Sequence, residues 1–370
     1  MSGAGPIVIA AGGTGGHVFP ALALARGLIR DGLATHFVTD QRGGSFGTEF
    51  ADVPCHTVRA GALAGRGLLG TVRGLAELVL GVLQARSLLR RLTPTLAVGF
   101  GGYAAVPPLL AAWSLGIPTL VHEANAVLGR ANRLLAPRAK AIATAFPQTV
   151  KVRRRDEARL IQVGSPVRES FVAQRDRPYT PPSADGPIDL LAVGGSQGAR
   201  VLGTVLPIAL ATLPENLRAR LRLVQQCRED DMAAAKTIYR EAGIDARLAP
   251  FIDDMADRLA AAHLVIARAG ASTVAELTMV GRPAILIPYP HATDNHQAAN
   301  AKALAAAGAA WVMTEREMTP ASLGTVIADR LTDASALTGA AAHAREFGRP
   351  DAVARLVTVA RDLVTAEEAA

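Results

Sequence analysis

The chain has 370 residues, of which 50% are hydrophobic and 4% aromatic, and its net charge is +7. This length allows two domains, and the composition favours a soluble α/β protein whose parallel strands are buried on both faces. The two cysteines lie far apart, which indicates a reducing compartment and excludes a cysteine metal framework. We expect neither a signal peptide nor a membrane span, because the apolar runs are too short and residues 104–115 are interrupted by two prolines. The positive charge suits nucleic acid, anionic lipid or an acidic substrate without choosing among them.

The first motif is a glycine-rich turn between a predicted strand and a predicted helix. Residues 7–11 form an apolar run typical of a buried strand, and residues 21–30 have helical spacing, with Pro20 in the first turn. Four glycines and His17 lie between them. Such a turn aims free backbone N–H groups and a helix N-terminus at an anion. The alternative is a tight turn that binds nothing, but the histidine and the departure from dinucleotide-type spacing favour a binding role.

The rest of the first half continues this alternation. We predict strands at residues 36–39, 96–100, 118–123, 141–144 and 160–163, a helix at 75–92, and loops at 60–74 and 151–155. Ligands of open α/β sheets bind beyond the carboxyl ends of the strands, where five side chains would converge: Thr14, His17, Tyr103, Glu123 and Asn125. Alternatively, His122 and Glu123 only finish a strand and satisfy local hydrogen bonds, and for His122 we favour this alternative.

The second half begins as the first does. After a proline-rich polar segment at 176–187, where a domain boundary belongs, an apolar run at 188–193 leads into a glycine turn and a helix. Further strands are predicted at 221–225, 246–249, 264–267 and 283–288. The same succession of strand, glycine turn and helix at two places half a chain apart predicts two Rossmann-like domains. Thr273 and Glu276 have capping-box spacing; the alternative is that they contact a phosphate and ribose hydroxyls.

Six motifs occur in one order at matching distances. They are residues 12–17 with Pro20, and residues 101–103, 122–125, 194–199, 269–276 and 296–300. Together they resemble the MurG family of bacterial peptidoglycan glycosyltransferases (glycosyltransferase family 28), over essentially the whole chain. The resemblance implies the α/β GT-B fold, with two Rossmann-like domains whose parallel sheets face across a cleft. It implies an acceptor and membrane-facing domain at 1–166 plus 348–370, and a UDP-sugar donor domain at 167–347.

The resemblance also implies roles for individual residues. Glu276 would hold the ribose and the backbone of Ile252 the uracil of UDP-N-acetylglucosamine. The diphosphate would meet Gly195, Ser196, Thr273 and Arg168, and the sugar would meet Gln297 and Asn125. The acceptor side would consist of Thr14, Gly15, Gly16, His17, Tyr103 and Glu123. Three positions, Ala124, Ser165 and His296, depart from the residues common in the family, so local recognition near them is expected to differ.

The implied activity is inverting transfer of N-acetylglucosamine to the C4 hydroxyl of the muramoyl sugar of undecaprenyl-diphospho-muramoylpentapeptide (lipid I), which forms lipid II. Direct displacement develops positive charge on the sugar and negative charge on UDP, which helix N-termini, loop amides and Arg168 would stabilise. Because the chain has no D-x-D carboxylate pair and no metal-ligand spacing, we expect no cofactor and no essential metal. The base is expected to be His17, with Glu123 as the second candidate.

Two alternative functions belong to other classes of protein. A UDP-N-acetylglucosamine epimerase would share the doubled fold and the donor site but act without a lipid acceptor. A non-catalytic binder of sugar nucleotides or of nucleic acid would lack chemistry altogether. Nucleic-acid binding finds little support in four tyrosines and two tryptophans, and we expect no nucleic-acid partner.

The lipid-linked acceptor implies a peripheral protein on the cytoplasmic face of the bacterial inner membrane, with other cell-wall synthesis proteins as candidate partners. We expect docking on anionic lipid through residues 61–74, the adjoining helix and Trp113. Leucines and valine in that loop would insert, namely Leu63, Leu68, Leu69 and Val72. The surrounding basic residues would be Arg66, Arg73, Arg86, Arg90, Arg91, Arg138 and Lys140. The alternative is that the leucines belong to the core and the arginines to a solvated fringe.

Overall fold

The computed structural model describes residues 5–41, 50–61, 67–195 and 198–368, without the side chains of 67–71 and 367–368. The chain divides into two compact units. Unit 1 extends to Arg168 and resumes at Pro350, and unit 2 comprises Glu169–Arg349. Both divisions lie two residues after the boundaries expected from the sequence.

Unit 1 contains a seven-stranded sheet in the order β3-β2-β1-β4-β5-β6-β7, in which every pairing is parallel. Its strands are β1 (Ile7–Ala10), β2 (Thr35–Thr39), β3 (Cys55–Thr57), β4 (Leu96–Gly99), β5 (Thr119–Glu123), β6 (Ala141–Thr144) and β7 (Leu160–Gln162). Its helices before the division are α1 (Gly15–Arg30), α2 (Gly67–Leu92), α3 (Gly102–Ser114) and α4 (Arg130–Leu135). All predicted strands of this half are confirmed, and the short strand β3 was not predicted.

Unit 2 contains a six-stranded parallel sheet in the order β10-β9-β8-β11-β12-β13. Its strands are β8 (Ile188–Val193), β9 (Leu221–Gln226), β10 (Asp245–Ala249), β11 (Leu264–Ala267), β12 (Ala284–Leu286) and β13 (Ala310–Val312). Its helices are α5 (Glu169–Val172), α6 (Arg200–Ala211), α7 (Glu215–Arg218), α8 (Glu229–Glu241), α9 (Met255–Ala261), α10 (Ala271–Val280), α11 (His296–Ala306), α12 (Pro320–Thr332) and α13 (Ala334–Phe347). The prediction of two Rossmann-like domains with parallel sheets is confirmed.

The C-terminal helix α14 (Ala352–Glu368) returns to the core of unit 1. Leu356, Val357 and Ala360 join the hydrophobic cluster that contains β1 and α1. The approach to α1 is close, because a Cβ atom on Gly27 would lie 2.7 Å from Val353 Cγ1. Unit 1 therefore needs residues from both ends of the chain to complete its core.

Two predictions about helices were wrong. Helix α1 begins at Gly15, so Pro20 lies inside the helix rather than in its first turn. Helix α2 begins at Gly67, so the predicted loop at 60–74 is helical over its second half. Helix α3, which was not predicted, contains both Pro107 and Pro108. In the part of the chain that the structure describes, none of the helices has both the length and the hydropathy of a membrane span.

Candidate functional site

The glycine turn after β1 combines close packing with an open helix end. Gly13 adopts a φ of 85°. A Cβ atom on Gly12 would lie 2.7 Å from Ala104 Cβ and 2.8 Å from Asp40 Oδ1, so packing alone requires glycine there. Gly15 and Gly16 are the first two residues of α1, after the N-cap residue Thr14. The backbone N–H groups of a first turn have no partner within the helix and are available to an anion.

His17 lies beside a second glycine turn, which follows β4. A Cβ atom on Gly101 would lie 3.5 Å from His17 Cδ2, and one on Gly102 would lie 3.6 Å from His17 Nδ1. Both glycines have positive φ, 77° and 68°, which favours glycine over any side chain. The Thr14 side chain makes no capping hydrogen bond; its Oγ1 lies instead 3.2 Å from His17 Nδ1. The structure therefore brings the predicted residues Thr14 and His17 together with the turn that leads to Tyr103.

Glu123, at the end of β5, is only 3% exposed and accepts four hydrogen bonds. Its Oε1 accepts from the backbone and side-chain amides of Asn125, both at 3.0 Å. Its Oε2 accepts from Gly129 N at 2.7 Å and from Asn132 Nδ2 at 2.9 Å. Burial raises the pKa of Glu123 above its ordinary value, while these hydrogen bonds oppose the shift. This carboxylate fixes the loop after β5, including the predicted residue Asn125.

Two further polar residues of this region are buried. Asn132 Nδ2 also donates to the His122 carbonyl at 2.9 Å, so one amide links the end of β5 to α4. His122 Nε2 donates to the Gly164 carbonyl at 2.9 Å, in agreement with the structural role favoured from the sequence. Burial lowers the pKa of His122 to about 4. Asn132 was not predicted from the sequence, because an asparagine inside a short helix carries no local signal of a buried partner.

The glycine turn after β8 opens unit 2 in the same way. Gly195 has a φ of 81°, and a Cβ atom there would meet nothing within 4 Å. Its carbonyl accepts a hydrogen bond from Gly198 N at 2.9 Å. A Cβ atom on Gly194 would lie 2.4 Å from Ala199 N, so the turn is packed tightly at its base. The predicted residue Ser196 lies outside the described residues, between these positions.

Arg268 ties together the loops that follow three neighbouring strands of unit 2. It is only 7% exposed; its Nη1 donates to the Ile287 carbonyl at 3.1 Å, and its Nη2 pairs with Glu315. Its guanidinium also lies 5.4 Å from the centre of the Tyr289 ring. Nearby, Asn300 is fully buried and donates to the Ala269 carbonyl at 3.0 Å. These contacts hold the residues that precede α10.

The predicted donor residues lie on the loops and helices that follow these strands. Gly270 is the N-cap of α10, so Thr273 is its third and Glu276 its sixth helical residue. The two therefore do not form a capping box, because Thr273 is not the N-cap. Gln297 Oε1 accepts from Tyr289 N at 3.0 Å, just after Asp294 and Asn295, which both adopt positive φ without being glycine. Such strained residues occur preferentially at functional sites.

The remaining predicted residues are Ile252 and Arg168. Ile252 is buried, and the adjacent Phe251 is 68% exposed. The guanidinium of Arg168, the last residue of unit 1, lies 4.8 Å from the centre of the Phe19 ring in α1. Arg168 was expected in the donor domain and belongs instead to unit 1.

Comparison with known proteins identifies the family. The models described as glycosyltransferase family 28 N-terminal domain and C-terminal domain match residues 7–144 and 190–356. The chain belongs to glycosyltransferase family 28. A protein of Rhodospirillum centenum is 54% identical over 95% of this chain and 92% of its own length. One of Paramagnetospirillum magneticum is 50% identical over 98% of both chains. Each is named UDP-N-acetylglucosamine–N-acetylmuramyl-(pentapeptide) pyrophosphoryl-undecaprenol N-acetylglucosamine transferase.

A solved structure extends this family 28 likeness to the fold. The crystal structure of Acinetobacter baumannii MurG matches with a TM-score of 0.77 and 32% identity, over 96% of this chain and 99% of that one. The resemblance stated from the six motifs is therefore confirmed.

Proposed function

We propose that this family 28 chain transfers N-acetylglucosamine from UDP-N-acetylglucosamine to the C4 hydroxyl of the muramoyl sugar of lipid I, which forms lipid II. The observation that carries the proposal is the 54% identity, over 95% of the chain, to a protein named for this transfer. The alternatives of an epimerase and of a non-catalytic binder are not favoured by this likeness.

In unit 1, His17 acts as the general base. When His17 Nδ1–H donates to the Thr14 hydroxyl, 3.2 Å away, Nε2 carries a lone pair that can accept the proton of the acceptor hydroxyl. The position of His17 in the first turn of α1 favours the neutral imidazole, because the helix N-terminus repels its protonated form. The acceptor side comprises Thr14, Gly15, Gly16 and Tyr103 around it.

Glu123 is the less suitable base, although it lies near the same loops. Each of its oxygens already accepts two hydrogen bonds from within the protein, and the side chain is buried. To take a proton from a substrate hydroxyl, the carboxylate would have to give up at least one of these bonds. We therefore assign Glu123 a positioning role, in which it orients Asn125 toward the sugar.

In unit 2, backbone amides and helix N-termini stabilise the UDP leaving group. Gly195 leaves its backbone accessible, and α10 directs its N-terminus, with Thr273, toward the diphosphate. Glu276 accepts from the ribose hydroxyls, Ile252 contacts uracil through its backbone, and Gln297 contacts the sugar. Ser196 and Arg168 complete the polar surroundings of the diphosphate. Fixed dipoles of this kind stabilise developing negative charge without reorganisation during the reaction.

Purified protein incubated with UDP-N-acetylglucosamine, with and without lipid I, tests this function. We expect UDP and lipid II only when lipid I is present. Isomerisation of the donor sugar without lipid I would indicate an epimerase, and binding of the donor without any product would indicate a non-catalytic binder.

We also propose that the protein docks on anionic membranes through an apolar stripe of α2. The stripe consists of Val72, Leu75, Val79, Leu80 and Leu83, which are between 43% and 59% exposed. At 100° per residue these positions share one face of the helix, and Arg86 and Arg90 lie on the same face nearer its end. A basic amphipathic helix of this kind binds the interface of anionic membranes.

The structure gives no comparable support for the other residues that were expected in the docking face. Trp113 donates to Thr119 Oγ1 and packs against the core, with Arg138 over its ring, so it is not available for insertion. Leu63 and Arg66 lie outside the described residues, as do the side chains of Leu68 and Leu69.

Liposome sedimentation tests the stripe. A triple change of Leu75, Val79 and Leu83 to glutamine should weaken binding to anionic liposomes and reduce lipid I turnover, while UDP affinity stays the same. Ile208→Gln, at an exposed apolar residue of unit 2, is the matched control. Unchanged sedimentation of the triple variant would exclude this face.

A further inference from the structure

A concavity of about 650 Å³ in unit 1 is lined by four arginines, Arg138, Arg153, Arg155 and Arg159, with Asp156 among them. We refer to it as the arginine pocket. Its charged residues come from two short 3-10 helices, Ala136–Arg138 and Arg154–Arg159, and from Arg153 at the N-cap of the second. Its volume is within the range of small-molecule sites.

The arginine pocket is separate from the candidate functional site of unit 1. Arg138 and Arg159 precede β6 and β7, so the pocket lies at the amino ends of these parallel strands. The turns around His17 and Glu123 follow β1, β4 and β5 and therefore lie at the opposite, carboxyl edge of the same sheet. A ligand in the arginine pocket would not occupy the acceptor side.

The one acidic residue of the pocket is already neutralised. Asp156 is 1% exposed and pairs with Arg159, and Arg155 Nε lies 4.0 Å from its Oδ1. Arg159 also donates through Nη1 to the carbonyls of Ala136 and Ala139, so it is held rigidly between the two 3-10 helices. Arg159 and Asp156 thus form the fixed base of the pocket.

The other arginines remain as accessible positive charge. Arg138, Arg153 and Arg155 are exposed. Neither Arg138 nor Arg153 forms an ion pair with any of the residues that the structure describes; the contact of Arg138 is with the Trp113 ring, 5.3 Å away. Guanidinium groups bind phosphate oxygens through paired N–H donors, which is why clustered arginines favour phosphate.

We propose that the arginine pocket binds a phosphate group. Arg138, Arg153 and Arg155 supply the donors, and the pair of Arg159 with Asp156 keeps the base of the pocket in place. Leu134, which is 45% exposed, and Pro137 form an apolar side of the pocket, against which the rest of a larger ligand would pack. The phosphate can belong to a soluble anion or to a lipid headgroup.

Three single variants of the full chain test the proposal. Arg153→Gln and Arg155→Gln each remove one charge from the pocket. Arg154→Gln removes the same charge from the same 3-10 helix, and Arg154 is exposed but does not line the pocket. Binding of inorganic pyrophosphate is measured by calorimetry with UDP present in excess. Binding to phosphatidylcholine vesicles with and without phosphatidic acid is measured by sedimentation.

We expect Arg153→Gln and Arg155→Gln to lower the affinity about tenfold, the effect of losing one charge-assisted hydrogen bond, and Arg154→Gln to change it less than about twofold. If Arg153→Gln and Arg155→Gln bind pyrophosphate more weakly than Arg154→Gln does, the ligand is a soluble phosphate. If the two variants are weaker than Arg154→Gln only in binding to vesicles with phosphatidic acid, the ligand is a lipid headgroup. Equal affinities of the three variants in both arms would overturn the proposal, because binding would then depend only on the general surface charge.

Discussion

The two units share one plan, a parallel sheet whose first strand leads through a glycine turn into a helix, but they support their loops differently. In unit 1 the loops at the carboxyl edge rest on a buried carboxylate, because Glu123 and Asn132 connect the end of β5 to α4. In unit 2 the corresponding loops are held by Arg268, whose guanidinium contacts backbone carbonyls and Glu315.

This difference matches the two demands of a displacement reaction. Unit 1 presents an imidazole that can gain a proton, and it keeps the nearby carboxylate buried and saturated with hydrogen bonds. Unit 2 presents glycine backbone and helix N-termini, whose positive potential does not change with pH. In the mechanism that we propose, the same topology therefore serves proton transfer in one unit and stabilisation of an anion in the other.

The largest effect is expected for His17→Ala. It should lower kcat by roughly two to four decades, the usual contribution of a general base, because the proton of the acceptor hydroxyl loses its acceptor. UDP affinity, measured by calorimetry, should stay the same, since His17 has no proposed contact with UDP. If turnover survives this change and instead collapses in a folded Glu123→Gln variant, the roles of the two residues must be exchanged.

Two buried asparagines allow the units to be compared directly. Asn132→Ala removes a donor to a buried carboxylate and should lower the free energy of unfolding by about 2 to 3 kcal/mol and reduce kcat, without changing UDP affinity. Asn300→Ala removes a donor to the Ala269 carbonyl and should cost about 1 to 2 kcal/mol and weaken UDP binding. Denaturant unfolding and UDP titration of both variants measure these effects. If UDP affinity fell equally in both variants, or in neither, the assignment of UDP binding to unit 2 would be contradicted.

Glu276→Gln tests the donor side alone. Loss of a charged acceptor of ribose hydroxyls should weaken UDP and UDP-N-acetylglucosamine alike by about tenfold, as measured by titration. The melting temperature should hardly change, because Glu276 is the sixth residue of α10 and does not cap it. Glu241→Gln, at the exposed end of α8, is the control. Unaltered UDP affinity would exclude the ribose role.

His122→Gln tests the burial of polar groups beneath the loops of unit 1. The pKa of His122 is lowered to about 4 by burial, from 6.5. Between these values the unfolded chain binds a proton that the folded chain does not, so stability is fully present above about pH 6.5 and is lost as the pH falls toward 4. At about pH 5 the loss relative to neutral pH is about 2 kcal/mol.

Glutamine at this position can still donate to the Gly164 carbonyl but does not titrate. Denaturant unfolding at about pH 7.5 and about pH 5 should therefore show about 2 kcal/mol less acid destabilisation for His122→Gln than for the unchanged chain. The same acid sensitivity in both proteins would mean that His122 is not the group responsible.

Local sequence patterns were sufficient for most of the sheets and for the glycine turns. Apolar runs such as residues 188–193 predict buried strands, because a parallel strand covered on both faces requires apolar residues throughout. The two short edge strands, β3 and β13, were missed because three residues with partial exposure carry no such pattern. The glycine turns led to Thr14, His17 and Tyr103, whereas Ile252, Gln297 and Arg168 became candidates only through the resemblance to the family.

Outside the apolar strands, tertiary structure alone decided the burial of Glu123 and the exposure of the apolar stripe of α2. The sequence could not distinguish Glu123 as a base from Glu123 as a buried acceptor, because its partners Gly129 and Asn132 come from another part of the loop and from α4. It likewise could not show that Leu75, Val79 and Leu83 face away from the core, since either face of α2 could have packed against α3. Residue types and spacing fix local conformation, whereas burial depends on contacts between segments distant in the chain.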